Sequence, residues 1–158
     1  MAAAIVAAAT VFVDRPDVAV VVTDSRTQRV LWRRTVAPGA SLELRYRHSV
    51  ERTPIVEEFR AGRDGLRLVT MRFSSQGAGL PTEGYTHEGG QFVLRTDRRI
   101  AELPLRVSRI AGHRLHMGPD EVDLVTLAGD GVAVTLKSGP GPWRVHLTRL
   151  GGGARSGD

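Results

Sequence analysis

Tyr46-Arg47-His48-Ser49-Val50-Glu51-Arg52-Thr53-Pro54-Ile55-Val56-Glu57-Glu58-Phe59 is the stretch whose reading decides the fold. Side chains alternate faces along a strand. From Leu42 one face runs Leu42, Leu44, Tyr46, His48, Val50, and the other runs Glu43, Arg45, Arg47, Ser49, a solvent pattern. After Thr53-Pro54 one face carries Ile55, Glu57 and Phe59. With Glu51-Arg52-Thr53-Pro54 as a four-residue hairpin loop, Val50 is expected opposite Ile55, His48 opposite Glu57, Tyr46 opposite Phe59 and, on the back, Arg47 opposite Glu58. A one-residue slip would set apolar side chains against polar ones. Pro54 then sits where a missing N–H removes no ladder bond.

An inward carboxylate and an inward imidazole each need a partner, because an unpaired buried charge costs several kcal/mol, roughly. In this register His48 and Glu57 supply each other. Such a pair either fixes strand register or forms a ligand-binding or catalytic site.

The 158 residues suffice for one domain burying about 70% of its unfolded surface. Apolar content of 41% with 25% charge is ordinary for a globular protein. Without cysteine there is neither a disulfide nor a thiolate metal site, and the redox compartment is unreadable. The net charge is +5, Lys137 is the sole lysine among 22 basic residues, and the arginines are scattered, adjacent only at Arg33-Arg34 and Arg98-Arg99. With aromatics at 5%, neither a basic stripe nor a stacking platform is present, so no nucleic-acid partner is expected. Residues 2–13 are apolar and uncharged, too short for a bilayer span and similar to the apolar part of an export signal, though no Lys or Arg precedes them. Residues 1–17 therefore read as a leader, with weak membrane association through it.

The rest of the chain punctuates into short strands. Val18 to Thr23 is a β-branched run, Asp24 to Thr27 a turn, Val30 to Val36 a second strand, and Pro38-Gly39 a turn. Leu66 to Ser74 switches phase between Leu68 and Val69, which predicts a bulge or twist. Phe92 to Arg95, Leu103 to Val107, Val122 to Leu127, Val132 to Leu136 and the Trp143, Val145, Leu147 face complete the strands, with Asp130-Gly131 read as a primed turn pairing Leu127 with Val134 and Val125 with Leu136. No helix shows a 3.6-residue period. Residues 18–150 form a single all-β domain, an antiparallel sandwich or barrel of about ten short strands, and 151–158 a disordered tail.

Ser74 to Pro81 contains Gly77 and Gly79, which permit a shaped loop converging N–H groups on an anion. No Gly-Lys-Ser/Thr follows, so it is not a P-loop. His48-Ser49 is not a dyad, since neighbours on a strand point apart. His113 and His116 are split by the same rule, and His87 and His146 read as solvated. Neither a metal nor a cofactor is expected.

Tyr46-Arg47-His48-Ser49-Val50-Glu51-Arg52-Thr53-Pro54, then Glu57 and Phe59, then Gly77-Ala78-Gly79-Leu80-Pro81, with Leu31-Trp32 and Pro38-Gly39 upstream, resemble a bacterial and archaeal family, domain of unknown function 1850. The resemblance spans roughly residues 18–150 and is strongest over 44–81. It implies similarity to small exported or membrane-tethered proteins encoded near TRAP transporters of the TAXI type, and it carries no catalytic role. The resulting expectation is a periplasmic or otherwise extracytoplasmic accessory module that binds a small organic anion and works with transporter components. Its candidate site is His48, Glu57, Tyr46, Ser49, Glu51, Arg52, Gly77 and Gly79. The competing readings are a hydrolase-like enzyme with His48 as general base oriented by Glu57, and a purely structural interaction module.

Overall fold

The valine run at 18–22 becomes the centre of one sheet, and the Leu42/Leu44 alternation becomes the centre of another. The computed structural model describes residues 17–141. The leader expected over 1–17 (Asp17 apart), the Trp143–Leu147 strand with His146, and the tail at 151–158 lie outside the described residues. The strands are β1 (Val18–Asp24), β2 (Val30–Val36), β3 (Ser41–Arg47), β4 (Pro54–Gly62), β5 (Gly65–Phe73), β6 (Tyr85–Glu88), β7 (Gln91–Ile100), β8 (Leu103–Arg106), β9 (Arg114–Met117), β10 (Asp120–Asp123) and β11 (Ala133–Pro140), with one short helix, α1 (Leu124–Ala128). They form a four-stranded sheet, β2-β1-β11-β8, and a seven-stranded sheet, β10-β9-β3-β4-β5-β7-β6. Every pairing is antiparallel. No helix among the described residues is long and apolar enough to cross a membrane.

Two apolar clusters hold the molecule. The larger joins both sheets through Val18, Val20 and Val22 of β1, Leu42 and Leu44 of β3, Phe59 of β4, Leu66 of β5 and Leu136 of β11. Each such side chain contributes about 1.5–3 kcal/mol on burial. The smaller gathers Ile55, Met71, Phe73 and Leu80 with Tyr46, Tyr85, Phe92 and Leu94 packed against them. None of these comes from the four-stranded sheet. Where that sheet stops, Leu80, from the loop after β5, serves as the cover. The phase switch in β5 is a true bulge, because its register with β7 shifts between Leu68 and Thr70, which lets Leu66, Leu68, Met71 and Phe73 all face inward.

The β3–β4 hairpin exists, but its register differs from the expected one. Tyr46 lies opposite Ile55, Leu44 opposite Glu57, Leu42 opposite Phe59 and Glu43 opposite Glu58. Pairing begins at Arg47 and Pro54, so the loop is His48–Thr53. Backbone bonds close it, with His48 N–H donating to Thr53 O (2.9 Å) and Arg52 N–H to His48 O (3.0 Å). One strand slips by four residues relative to the other, an even shift, so the inward face keeps Leu42, Leu44, Tyr46, Ile55, Glu57 and Phe59. Val50, expected to pair with Ile55, is 73% exposed.

The primed turn at Asp130-Gly131 is also overturned. Asp123 caps α1, accepting from Val125 N–H (2.9 Å) and Thr126 N–H (3.0 Å), so Val125 and Leu127 are helical. Val134 pairs instead with Asp24 and Leu105, and Leu136 with Val22 and Leu103. β6 and the β9–β10 hairpin were missed because their side chains are polar or their runs short. Their turns were marked in the sequence by Gly89-Gly90, both at positive φ, and by Gly118-Pro119.

Candidate functional site

His48 lies just past the end of β3, and the loop that follows folds back over its ring. Nδ1 accepts from Glu51 N–H (3.2 Å) and, more loosely, from Val50 N–H (3.4 Å). That leaves Nε2 to carry the proton, and it donates to Ala78 O at 3.1 Å. The imidazole, 7% exposed, thus pins the hairpin tip to the glycine loop. A second strap joins the Thr53 and Ser75 hydroxyls at 2.7 Å. Gly77 is required by the close approach, since a Cβ there would stand 2.9 Å from His48 Cε1 and 3.0 Å from Nε2. The two sequence words that stood out separately, around His48 and around Gly77, are therefore one contact.

Glu57 does not meet His48. It faces inward one cleft away, hydrogen-bonded by the Tyr46 hydroxyl and within the field of Arg98. Burial pushes its carboxyl up from the ordinary range, while Arg98 and Tyr46 pull it back part of the way. Burial, with the adjacent Glu57 charge and bond, pushes the Tyr46 phenol up. The Tyr46 ring stacks on His113, centroids 5.3 Å apart and planes 25° from parallel. His113 precedes β9 on its inward side, in phase with Leu115 and Met117, and is 8% exposed. Burial holds its imidazole below the ordinary histidine value. Among the described residues Nδ1 is fully buried without a hydrogen-bond partner.

The pH dependence of Glu57 follows from its sign. Below the unfolded value of 4.5 the carboxyl is protonated folded or unfolded and costs nothing. As pH climbs from 4.5 through the raised folded value, the folded chain loses stability, and above that value the loss is constant. Glu57→Gln keeps an acceptor for Tyr46 without the charge. Its melting temperature relative to the parent is expected to rise between pH 4 and pH 8; a pH-independent difference would show that burial does not disfavour this carboxylate.

Gly79 and Leu80 divide two clefts. One, about 430 Å³, is lined by His48, His113, Tyr46, Arg47, Arg106 and Ser108 among others. The other, about 400 Å³, holds Glu57, Pro81, Thr96 and Arg98. Ser49 is exposed at the rim of the first, and Glu51 lays its stem against Gly77. Arg52 turns to the opposite face, at φ +57°. The glycine loop shows the site a carbonyl, Ala78 O, rather than a nest of N–H groups, and Leu80 N–H is turned back onto Gly77 O (3.1 Å). Sequence reasoning set His113 aside with His116, although its alternation with Leu115 and Met117 marked it as inward. Arg98 and Arg106 carried no signal. Among the described residues no group of three or more His, Asp or Glu is placed to hold a metal ion.

A family model described as Domain of unknown function (DUF1850) matches residues 42–124, the span from β3 into α1 that contains the hairpin, the glycine loop and His113. No curated protein and no solved structure matches the chain.

Proposed function

The chain belongs to the DUF1850 family, and from that premise we propose that it is a binding protein for a small organic anion, acting as an exported accessory of a TRAP-type solute-uptake system. The observation that carries the binding part is His113, a buried imidazole whose Nδ1 has no hydrogen-bond partner among the described residues, on the wall of a cleft of about 430 Å³. Buried polar groups left unpaired cost about 1–3 kcal/mol each, and a ligand that pairs one recovers that cost. Arg47 and Arg106 lie on the same wall and suit a carboxylate, while Ile55, Leu80 and Ala111 suit an apolar body. The accessory role is supported by the resemblance to proteins encoded beside such transporters.

His48 serves as a pillar in this reading. Both of its nitrogens are committed to backbone groups, and Glu57 does not orient it, so a general base there lacks its geometry. Histidine-selective NMR, titrated with a panel of mono- and dicarboxylates, tests the binding. Saturable shifts of the His113 ring, with smaller ones at His48, are expected; no response of His113 to any member would defeat the reading. Co-purification with transporter components tests the accessory role separately.

A further inference from the structure

The outer face of β3 carries a second feature, which shares Tyr46, Arg47 and Ala111 with the first cleft and adds four arginines of its own. A groove of about 780 Å³ runs between the hairpin tip and the loop before β9, lined by Arg45, Arg47, Arg52, Arg109 and Arg114. Arg45 is held by Glu43, and Arg114 by Glu121 and Asp123. Arg47, Arg52 and Arg109 have no carboxylate partner among the described residues. They come from three separate segments, the end of β3, the hairpin loop and the loop after β8. Arg47 is fixed to the last of these through its own N–H, which donates to Ala111 O at 2.8 Å.

We propose that this groove binds a phosphate group. Guanidinium forks pair bidentately with oxyanions and keep their charge at any physiological pH. One fork satisfies the two oxygens of a carboxylate. Three forks supply more donors than one carboxylate can use and suit a phosphate dianion, and a groove in which five arginines outnumber one carboxylate, Glu121, concentrates such an ion. The backbone at Arg52 is the second sign of a built site. It occupies the left-handed region, free for glycine and strained for arginine, and is held there by the His48–Thr53 and Arg52–His48 bonds. In that conformation Arg52 lines the groove. The phosphate is carried by either a soluble ester or a lipid headgroup.

The strain also makes a clean test. Arg52→Gly removes the charge while relaxing the backbone, so it is expected to melt at or above the parent temperature and yet bind pyrophosphate at least tenfold more weakly. Arg109→Gln is expected to weaken binding similarly. Calorimetry with pyrophosphate, and flotation with phosphatidylcholine vesicles with and without phosphatidic acid, separate the two carriers: pyrophosphate binding assigns a soluble ester, and binding to acidic vesicles alone assigns a headgroup. Binding is expected to fall at least tenfold between 50 and 300 mM NaCl. The inference is overturned by binding to neither probe, by citrate binding as tightly as pyrophosphate, or by either variant binding as the parent does.

Discussion

Phe73→Ala is expected to lower stability by about 3–5 kcal/mol, the range for deleting a fully buried phenylalanine. Phe73 is 0% exposed, stacked on Phe92 at 5.2 Å and met edge-on by Tyr85 at 5.7 Å. Against a usual total of about 5–15 kcal/mol, that is a large fraction. The loss has a local consequence as well. Among the described residues the smaller cluster joins one sheet to Leu80 of the following loop, so a cavity at Phe73 weakens the floor on which the 74–81 loop rests. Urea denaturation should show the loss, and amide exchange should show Gly77 to Pro81 deprotected more than the β1–β11 ladder. A loss under about 1 kcal/mol, or uniform deprotection, would mean that the loop is held by something other than this cluster.

Gly77→Ala is the second large effect, with an expected net loss of about 1–2 kcal/mol. The new Cβ would stand within 3.0 Å of the His48 ring, which is pinned at both nitrogens. Moving that ring breaks its bond to Ala78 O and leaves buried groups unpaired, at about 1–3 kcal/mol. The entropic gain from replacing glycine, about 0.4–1 kcal/mol, is smaller and of opposite sign. Because the damage passes through one contact, Gly77→Ala combined with His48→Ala should cost clearly less than the two single losses added. Additive losses would show that the glycine serves some other end. At Gly79 a Cβ meets nothing within 4 Å, so only its φ of +85° opposes substitution there.

The sequence made the β class plain, and the inward face of the paired strands was correct because alternation survives an even slip, whereas Val50, expected on that face, falls in the loop and is exposed. The register was not legible. A four-residue loop closing Val50 onto Ile55 and a six-residue loop closing Arg47 onto Pro54 both suit the alternation, and the observed one goes with His48 reaching the Ala78 carbonyl thirty residues on, which periodicity does not encode. For the same reason the acid and the base were assigned to each other when each has a different partner. α1 was invisible because five residues show no helical period, although Asp123 was a fair cap signal. His113 was legible as inward, but its lack of a partner depends on Tyr46 filling the space beside it.

The register of β1 sets the order in which the molecule can be made. Val18 pairs with Val36 on one side, but with Pro140 on the other. The β3–β4–β5 meander joins neighbours in sequence and can zip locally, whereas the four-stranded sheet closes only across more than a hundred residues. On a ribosome, β1 and β2 wait as a valine-rich two-stranded ribbon, one long flank unsatisfied, until residues 133–140 emerge. Refolding should be slow, on the order of milliseconds to seconds as for other non-local β topologies, and that waiting ribbon is where a nascent chain would first need shielding from its neighbours.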